Sequence, residues 1–303
     1  MAQPQRIVVM TGATAGLGAH ALGRIAAVPG TRVLIGARGA GREVPAGVEV
    51  LPLDLASLAS VRAFADQVCA EIGENLIDVL VLNAGAQSPA SEARSADGFE
   101  LTFAVNHLAH YLLVRLLVPH LAEGGRLVIT TSDTHDPAVT PIAPKTLDPL
   151  ALAHPAKGGL GSGMRAYAAS KLCNLLTAQA VAASADVQDR GVSVVAFNPG
   201  LTGGTSLGRD SSPVARIVVR ALMGAIFRVV GLFKPEYVMS TAERSGEQLA
   251  QVALGVVTPP PGRIYVSLVK GEPTFPDPSE LARSRDAQQQ LWRDSADMVG
   301  LAQ

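Results

Sequence analysis

A glycine turn between an apolar run and a helical pattern constrains this chain more than any other feature. Residues 6–10 are apolar and β-branched, residues 11–18 are TGATAGLG, and residues 19–28 have helical apolar spacing. Glycines let a backbone turn tightly and approach a pyrophosphate, which then lies against the amide groups at the positive end of a helix. The alternative is an ordinary glycine-rich turn. We expect dinucleotide contacts from Thr11, Gly12, Thr14, Gly16, Leu17 and Gly18.

The second predicted strand, residues 32–36, bears on which dinucleotide binds. An NAD enzyme carries an acidic residue after this strand to bind the ribose 2′-hydroxyl, and none is present here. Gly36 and Ala37 lead instead to Arg38, whose guanidinium suits a 2′-phosphate. A solvated surface arginine, in a loop that also carries Arg42, is the alternative. We therefore expect NADP in preference to NAD.

Two further predicted strands, residues 48–53 and 78–82, bring small and polar residues to the edge where parallel sheets bind ligands. Asp54, with Leu55 beside it, is either an adenine contact or a cap of the helix predicted at 57–72. The second strand is a continuous apolar run, as expected for burial on both faces. It ends in a turn that is either a cofactor contact or simply a turn of small residues, namely Asn83, Ala84 and Gly85.

Residues 99–121 predict a long helix with Asn106 within its apolar stripe. A buried amide needs partners, so Asn106 either braces backbone groups or belongs to a polar network. His107 and His110 lack a third ligand nearby, so we expect no metal site. A fifth strand, residues 124–131, brings Ser132 to the same edge of the sheet, where a serine either hydrogen-bonds a ligand or caps a turn.

Tyr167 and Lys171 lie four residues apart in a predicted helix at 164–185, so their side chains share one face. A cation near a phenol lowers the pKa of the phenol, which makes Tyr167 a candidate general acid and base. The thirty-odd residues before it, 133–163, are rich in proline and glycine. A loop of that length inside a compact domain is usually functional, and we expect it to form a wall of the site.

Strands alternate with helices along the whole chain, with a sixth strand at 191–197 and a last strand at 263–268. This order predicts an α/β fold: a doubly wound, Rossmann-type parallel sheet of about seven strands with helices on both faces. We expect one domain, residues 1–303. The sixth strand ends in Asn198, Pro199 and Gly200, of which the last two are expected to contact the cofactor.

The segment 201–235 follows the sixth strand and is predicted to be a substrate lid. Its apolar part, residues 213–233, contains Arg216, Arg220 and Arg228, which is unfavourable for a membrane span. Three interpretations remain open: a lid over an apolar substrate, a subunit interface in a homo-oligomer, and a helix on a membrane surface.

Charge and cysteine content exclude several classes of function. The 25 basic and 26 acidic residues leave no field that would attract nucleic acid. The two cysteines, Cys69 and Cys173, fit a reducing compartment, and the N-terminal residues lack a signal-peptide pattern. We expect a cytoplasmic protein.

Taken together, these motifs resemble the short-chain dehydrogenase/reductase superfamily, in whose order they occur over essentially the whole chain. The segments VNHLAHYLL (105–113) and YAASKLCNLL (167–176) are similar to its retinol dehydrogenase and light-dependent protochlorophyllide reductase branch. The segments SGEQLAQV (245–252) and MVGLA (298–302), together with Cys173, resemble the pigment reductases. Those reductases carry a cysteine where this chain has Leu82, and TSDTHDP (131–137) resembles the retinol-dehydrogenase-like reductases instead.

The resemblance implies a catalytic tetrad of Asn106, Ser132, Tyr167 and Lys171. Tyr167 would protonate a carbonyl oxygen that Ser132 also hydrogen-bonds, as hydride arrives from the nicotinamide. Lys171 would bind the ribose hydroxyls and lower the pKa of Tyr167, and Asn106 would anchor a water that leads to Lys171.

The function that we expect is an NADP(H)-dependent oxidoreductase acting on an apolar carbonyl or alcohol. The alternatives are a protochlorophyllide-type double-bond reductase and an NADP-binding sensor without chemistry. A sugar-nucleotide epimerase shares the Tyr167 and Lys171 pair, but its glycine spacing and longer C-terminal substrate domain are absent.

Overall fold

The computed structural model describes residues 6–39, 43–89, 91–159, 161–203 and 238–302. Arg42 and all but the first three residues of the predicted lid at 201–235 lie outside these ranges. The three interpretations of residues 213–233 therefore stay predictions, as does the cytoplasmic location. Both cysteines, Cys69 and Cys173, are free thiols.

A central sheet of eight strands organises the described residues. The first five strands along the chain are β1 (Arg6–Thr11), β2 (Thr31–Ala37), β3 (Glu49–Pro52), β4 (Ile77–Leu82) and β5 (Leu121–Thr130). The sheet continues with β6 (Ser193–Asn198), β9 (Tyr265–Val269) and β10 (Glu272–Thr274), while β7 (Thr202–Gly203) pairs separately with β8 (Ser240–Thr241). The spatial order of the eight-stranded sheet is β10-β9-β6-β5-β4-β1-β2-β3. All pairings in this sheet are parallel except that of β10 with β9.

The doubly wound fold is confirmed, with eight strands in the main sheet instead of about seven. The additional strand, β10, is three residues long and contains Pro273, so it lacks the alternating pattern that predicts a strand. Proline is tolerated in a sheet only where its missing N–H is not needed, and β10 lies at the edge.

Helices cover both faces of the sheet because its central strands are buried on both sides. On one face lie α1 (Gly16–Ala26) and α8 (Ala242–Ala253). On the other lie α2 (Leu58–Ile72), α3 (Leu101–Phe103), α4 (Ala109–Leu117) and α6 (Ser162–Ala182). The shorter helices are α5 (Pro149–Ala153), α7 (Ala185–Asp189) and α9 (Glu280–Arg283), and α10 (Arg285–Met298) closes the chain.

The helix predicted at 99–121 is not uniform. It begins with α3, passes through a π-helical turn at Ala104–Leu108 and continues as α4 and a 3-10 turn, Val118–His120. Asn106 lies inside the π-helical turn, and strand β5 starts already at Leu121. The stretch 101–120 is long and apolar enough to span a membrane, but 78% of its apolar 18-residue window is buried in the fold, as in a core helix.

The predicted loop at 133–163 has structure of its own. A 3-10 turn, Asp133–His135, follows Ser132, and α5 lies in the middle of the loop. Helix α6 begins at Ser162 instead of 164, directly after Gly161, whose φ of 78° is left-handed. The loop therefore leads from the end of β5 straight to the helix that carries Tyr167.

Candidate active site

A cavity of about 880 Å³ runs along the carboxyl ends of β1, β2, β4, β5 and β6. Parallel strands collect ligands at this edge, where the strand order reverses. Of the predicted site residues, the cavity is lined by Gly12, Thr14, Gly16, Leu17, Gly18, Arg38, Asp54, Leu55, Asn83, Ala84, Gly85, Ser132, Tyr167, Lys171, Pro199 and Gly200. Thr11 and Asn106 are buried behind the lining.

The glycine turn forms a cradle that side chains would fill. Gly12 has a φ of 66°, and a Cβ added to it would lie 2.5 Å from the Cα of Ala84. A Cβ on Gly18 would collide with the carbonyl oxygen of Gly12 and come within 2.7 Å of Asn83 Nδ2. Because that amide also donates to the Gly12 oxygen at 3.0 Å, the turns after β1 and β4 are joined. The space left beside the first turn of α1 fits a pyrophosphate.

Thr11 is buried behind this cradle and holds the turn after β4 in place. Its Oγ1 accepts hydrogen bonds from the backbone N–H groups of Asn83 at 3.1 Å and Ala84 at 3.2 Å. It also lies 3.1 Å from His110 Nε2. Thr11, predicted as a cofactor contact, therefore fixes the shape of the turn without lining the cavity.

Asn106 braces the turn after β4 from the other side. Its Oδ1 accepts from the N–H of Ala86 at 2.7 Å, and its Nδ2 donates to the Ala86 oxygen at 2.9 Å and to Ser170 Oγ at 3.0 Å. Its backbone oxygen lies 3.0 Å from His110 Nδ1. Both interpretations of this buried amide are therefore correct, since Asn106 braces backbone groups and also belongs to a polar network.

His110 joins Asn106 to Thr11, and its tautomer follows from its partners. A carbonyl oxygen can only accept, so Nδ1 carries the proton that is donated to Asn106. Nε2 is then an acceptor and receives the hydroxyl proton of Thr11. Burial, followed by the charge of Lys171, lowers the pKa of His110 to about 3, which keeps the ring neutral.

Lys171 lies at the junction between the cofactor cradle and Tyr167. Its Nζ donates to the backbone oxygen of Thr130 at 3.1 Å and lies 5.7 Å from the centre of the Tyr167 ring. A Cβ on Gly85 would lie 3.4 Å from this Nζ, so the turn after β4 passes close to it. The spacing of four residues therefore places both side chains on one face of α6, as predicted.

The pKa values of the pair differ from the sequence expectation. The pKa of Tyr167 is raised, first by burial and then by the charge of Asp133, while a hydrogen bond with Ser132 lowers it. The lowering expected from Lys171 is not found in this state, because burial is the largest influence on the phenol and raises its pKa. Burial lowers the pKa of Lys171 to about 8.

Ser132 begins the 3-10 turn after β5 and makes several contacts. Its Oγ accepts from the N–H of Thr134 at 3.3 Å and donates to Asp133 Oδ1 at 3.3 Å. Its backbone oxygen accepts from His135 Nδ1 at 2.6 Å. The serine is therefore both a turn cap and, through its hydroxyl, part of the cavity wall beside Tyr167.

The outer end of the cavity contains the residues predicted to contact the adenosine. Arg38 follows β2 and is exposed at the rim. Asp54 caps a turn, since its Oδ1 accepts from the N–H of Ala56 at 3.0 Å, and it lines the cavity as well. The cap and ligand interpretations of Asp54 are therefore compatible.

Sequence reasoning missed three residues of the site. His110 was considered only as a possible metal ligand, and Asp133 and Thr130 were not singled out. Thr130 contributes its backbone oxygen to Lys171 and donates from Oγ1 to Asn83 Oδ1 at 3.0 Å. A signal existed for two of them, since Thr130 ends β5 and Asp133 directly follows Ser132. Nothing in the sequence could have placed His110 beside Thr11, which is 99 residues away.

Comparisons with known proteins agree with this geometry. The family model described as short chain dehydrogenase matches residues 6–140. Protochlorophyllide reductase A from Hordeum vulgare is 32% identical over 328 residues, covering 98% of this chain and 81% of the relative. An uncharacterized protein from Mycobacterium Paratuberculosis has a solved structure with a TM-score of 0.70 and 28% identity, covering 98% of this chain and 94% of its own.

A fourth similarity concerns the fold alone. A short chain dehydrogenase from Burkholderia cenocepacia, solved in complex with NADP, is 24% identical with a TM-score of 0.56, covering 83% of this chain and 91% of its own.

The fold and the cavity thus define a dinucleotide-binding α/β oxidoreductase with a tyrosine and a lysine beside its cofactor cradle. The chain belongs to the short-chain dehydrogenase/reductase superfamily, in the branch that contains retinol dehydrogenases and protochlorophyllide reductases.

Proposed function

We propose that the protein is an NADP(H)-dependent oxidoreductase that interconverts an apolar carbonyl compound and its alcohol, with Tyr167 as the general acid and base. One observation carries the proposal: Ser132, Tyr167 and Lys171, from two separate elements, meet in the wall of the cavity that the glycine turn opens. Such a convergence of donors beside a dinucleotide site suits a reaction in which charge develops on one oxygen.

The cofactor assignment has support at both ends of the cavity. The cradle at Gly12 and Gly18 leaves room for a pyrophosphate, and Arg38 is the group that would bind the 2′-phosphate of NADP. The fold neighbour from Burkholderia cenocepacia was solved with NADP. Further contacts would come from Asp54 and Leu55 near the adenine, from Asn83–Gly85, and from Pro199 and Gly200 near the nicotinamide.

The protein's part in the reaction is to orient the substrate and move one proton. The nicotinamide, when bound, supplies or accepts the hydride. In reduction, the Tyr167 hydroxyl gives its proton to the carbonyl oxygen, and Ser132 Oγ donates a hydrogen bond to the same oxygen. Lys171 would bind ribose hydroxyls of the cofactor, and its charge would then favour the phenolate that Tyr167 leaves behind. A cofactor that draws Lys171 away from Thr130 would therefore lower a tyrosine pKa that burial raises in the free protein.

Asn106 would act as a positioning residue in this scheme. Its side chain fixes the turn at Ala86, next to Gly85 and Lys171. Its backbone oxygen accepts from His110 and has a second lone pair. This lone pair could accept from the water that is predicted to link Asn106 to Lys171, and that water stays a prediction.

The apolar character of the substrate is inferred from the walls near Ser132. They include Val139, Ile142, Met164 and Leu201. Such walls bind apolar surface and exclude water from the developing charge.

The test is reduction of a panel of ketones and aldehydes with NADPH consumption as readout. Replacing Tyr167 with Phe removes the proton donor, so we expect kcat to fall by at least about a hundredfold, with NADPH binding retained. Tyr111→Phe, which alters a buried tyrosine remote from the cavity, is the matched control and should keep its rate. A Tyr167→Phe protein that reduces ketones at the wild-type rate would overturn the mechanism.

A second candidate function is a protochlorophyllide-type double-bond reduction, which the 32% identity to the barley enzyme favours. Leu82 stands where the resemblance places a cysteine in those reductases, and this favours the carbonyl reaction. Incubation with NADPH and protochlorophyllide, in light and in darkness, separates the two. NADPH binding without turnover of any ketone, aldehyde or pigment would instead indicate a sensor.

A further inference from the structure

Asp133 is a carboxyl group in the cavity wall that the proposed mechanism does not use. It follows Ser132 directly, is half-buried and lines the cavity on the side of Pro199 and Gly200. Its Oδ1 lies 3.3 Å from Ser132 Oγ, so two protein oxygens stand side by side where the proposed substrate oxygen would bind. Within the described ranges, no arginine or lysine forms an ion pair with it.

The surroundings of this carboxyl group are poor in compensating charge. The groups that face it are the hydroxyl of Ser132, the amide of Asn198, the phenols of Tyr167 and Tyr265 and the ring of His135. Burial lowers the pKa of His135, which keeps that ring neutral, and burial raises the pKa of Asp133. A carboxyl group in such a place costs free energy unless it is hydrogen-bonded, so an additional donor would be favourable.

The Ser132 hydroxyl has only one proton, and this creates a conflict. In the free protein two oxygens compete for that proton, Asp133 Oδ1 at 3.3 Å and the phenol oxygen of Tyr167. A serine that donates to Asp133 cannot donate to a substrate carbonyl at the same time. The conflict is removed when the substrate brings its own donor to Asp133 and so releases the serine proton for the carbonyl oxygen.

The separation of the two acceptor positions indicates where that donor lies on the substrate. A carbonyl oxygen and a hydroxyl oxygen on the neighbouring carbon are about 2.7 Å apart when eclipsed and about 3 Å apart when the C–C bond is twisted by roughly 60–90°, from ordinary bond lengths. This matches the 3.3 Å between Ser132 Oγ and Asp133 Oδ1. A carbonyl without a neighbouring donor would leave Asp133 in competition for the serine.

We infer that Asp133 accepts a hydrogen bond from a hydroxyl group next to the reacting carbonyl, so that the preferred substrate is an α-hydroxy ketone, or the vicinal diol in the reverse direction. The ammonium of Lys171 lies in the same wall of the cavity, which disfavours a cationic amine and favours a neutral hydroxyl. The inference rests on the proposed carbonyl chemistry and names its substrate class.

The experiment compares three ketones that differ only at this carbon: phenacyl alcohol, its methyl ether and acetophenone, each with NADPH. The quantity measured is the ratio of kcat/KM for phenacyl alcohol to that for the other two. We expect the wild-type ratio to be about ten- to a hundredfold, the usual effect of a hydrogen bond to a charged group. The ether is the sharper comparison because it keeps the oxygen and loses only the donor.

The variants are Asp133→Asn, Asp133→Ala and, as a matched control, Asp136→Asn. The amide is a weaker acceptor, so the ratio should fall several-fold in Asp133→Asn, and it should approach one in Asp133→Ala. Asp136 belongs to the same segment, accepts from the N–H of Ala138 at 2.9 Å and lies outside the cavity lining, so its variant should keep the wild-type ratio. Thermal unfolding and NADPH binding check that each variant is folded, and Asp133→Asn alone decides if Asp133→Ala does not fold.

Two negative results are distinguishable. Equal kcat/KM for all three ketones in the wild type, or an unchanged ratio in Asp133→Asn, overturns the role of Asp133 and leaves the carbonyl reaction standing. Bound NADPH with no turnover of any ketone overturns the proposed function itself, and the inference with it.

Discussion

At the scale of single residues, burial decides the protonation states around the site. Lys171 is 2% exposed, and burial lowers its pKa from the ordinary 10.5 to about 8. His110 is 2% exposed, and burial is the largest cause of its pKa of about 3. Near neutral pH the site therefore has one ammonium that deprotonates easily and one imidazole that stays neutral.

A pH dependence of cofactor affinity follows from Lys171. If the ammonium binds the ribose, the Kd for NADPH should be constant below about pH 8 and rise by up to about tenfold per pH unit above it. Binding would take up a proton in that range. Fluorescence titration of NADPH from about pH 7 to about pH 10 measures this, and Lys171→Met should bind weakly with a flatter profile.

The control for this prediction is Lys157→Met, which removes an exposed lysine and should keep the wild-type profile. The pH dependence of the free energy of unfolding has the opposite sign to that of cofactor affinity. Because the folded pKa of Lys171 lies below the unfolded one, the free energy of unfolding should rise between about pH 8 and about pH 10.5. Loss of cofactor affinity there is thus not caused by unfolding at this residue, and a Kd that does not change with pH would contradict the assigned role.

At the scale of elements, two local features place the site. The π-helical turn at Ala104–Leu108 carries Asn106, whose backbone oxygen accepts a hydrogen bond from the His110 ring. On the opposite face, α1 and α8 pack closely because Gly246 has no side chain. A Cβ there would collide with the oxygen of Leu17 and lie 2.6 Å from the Cβ of His20.

A pair of glycine substitutions tests this packing. Gly246→Ala should lower the free energy of unfolding by about 1–3 kcal/mol, because the added methyl group forces α8 away from α1. It should also weaken NADPH binding, since α1 begins at the glycine turn. Urea denaturation and NADPH titration are the measurements.

The matched control is Gly23→Ala, in the interior of α1 with nothing within 4 Å of an added Cβ. Alanine is the better helix former, so this variant should gain about 0.5–1 kcal/mol. An equal change in the free energy of unfolding for Gly246→Ala and Gly23→Ala would contradict the importance of the contact between α1 and α8 at Gly246.

At the scale of the whole molecule, the C-terminal helix returns to the middle of the chain. Ser295 Oγ lies 2.8 Å from His107 Nε2, and the hydroxyl of Tyr111 donates to the Trp292 oxygen at 3.0 Å. The guanidinium of Arg115 lies 5.3 Å from the Trp292 ring. The helix that carries Asn106 is therefore supported by α10 from behind, and the tail is part of the core.

A substitution in α10 tests this arrangement. Leu291 is 1% exposed, so Leu291→Ala should lower the free energy of unfolding by about 2–5 kcal/mol. Leu150→Ala, at a leucine that is 60% exposed, should change it by less than about 0.5 kcal/mol. Trp292 is the single tryptophan of the chain, so its fluorescence reports on this region.

If α10 folds with the sheet, fluorescence and circular dichroism should give the same unfolding midpoint in the wild type and in both variants. A fluorescence transition at lower denaturant than the loss of helix signal would contradict a single cooperative unit.

The sequence by itself determined the order of strands and helices, the glycine cradle and the face shared by Tyr167 and Lys171. These are local features: they follow from the periodicity of a strand or a helix and from the conformational freedom of glycine. The position of Ser132 after β5 followed as well, because residues at the carboxyl ends of parallel strands share one edge. Strand β10 was not predicted, because three residues that include a proline are too few to show the alternation of a strand.

Only the tertiary structure decided the partners of buried groups. His110 meets Thr11 across 99 residues, and Ser295 meets His107 across 188. It also decided that burial, more than the neighbouring cation, sets the pKa of Tyr167 in the free protein. Desolvation and hydrogen bonding depend on everything that surrounds a group, whereas a sequence pattern specifies only its neighbours along one element.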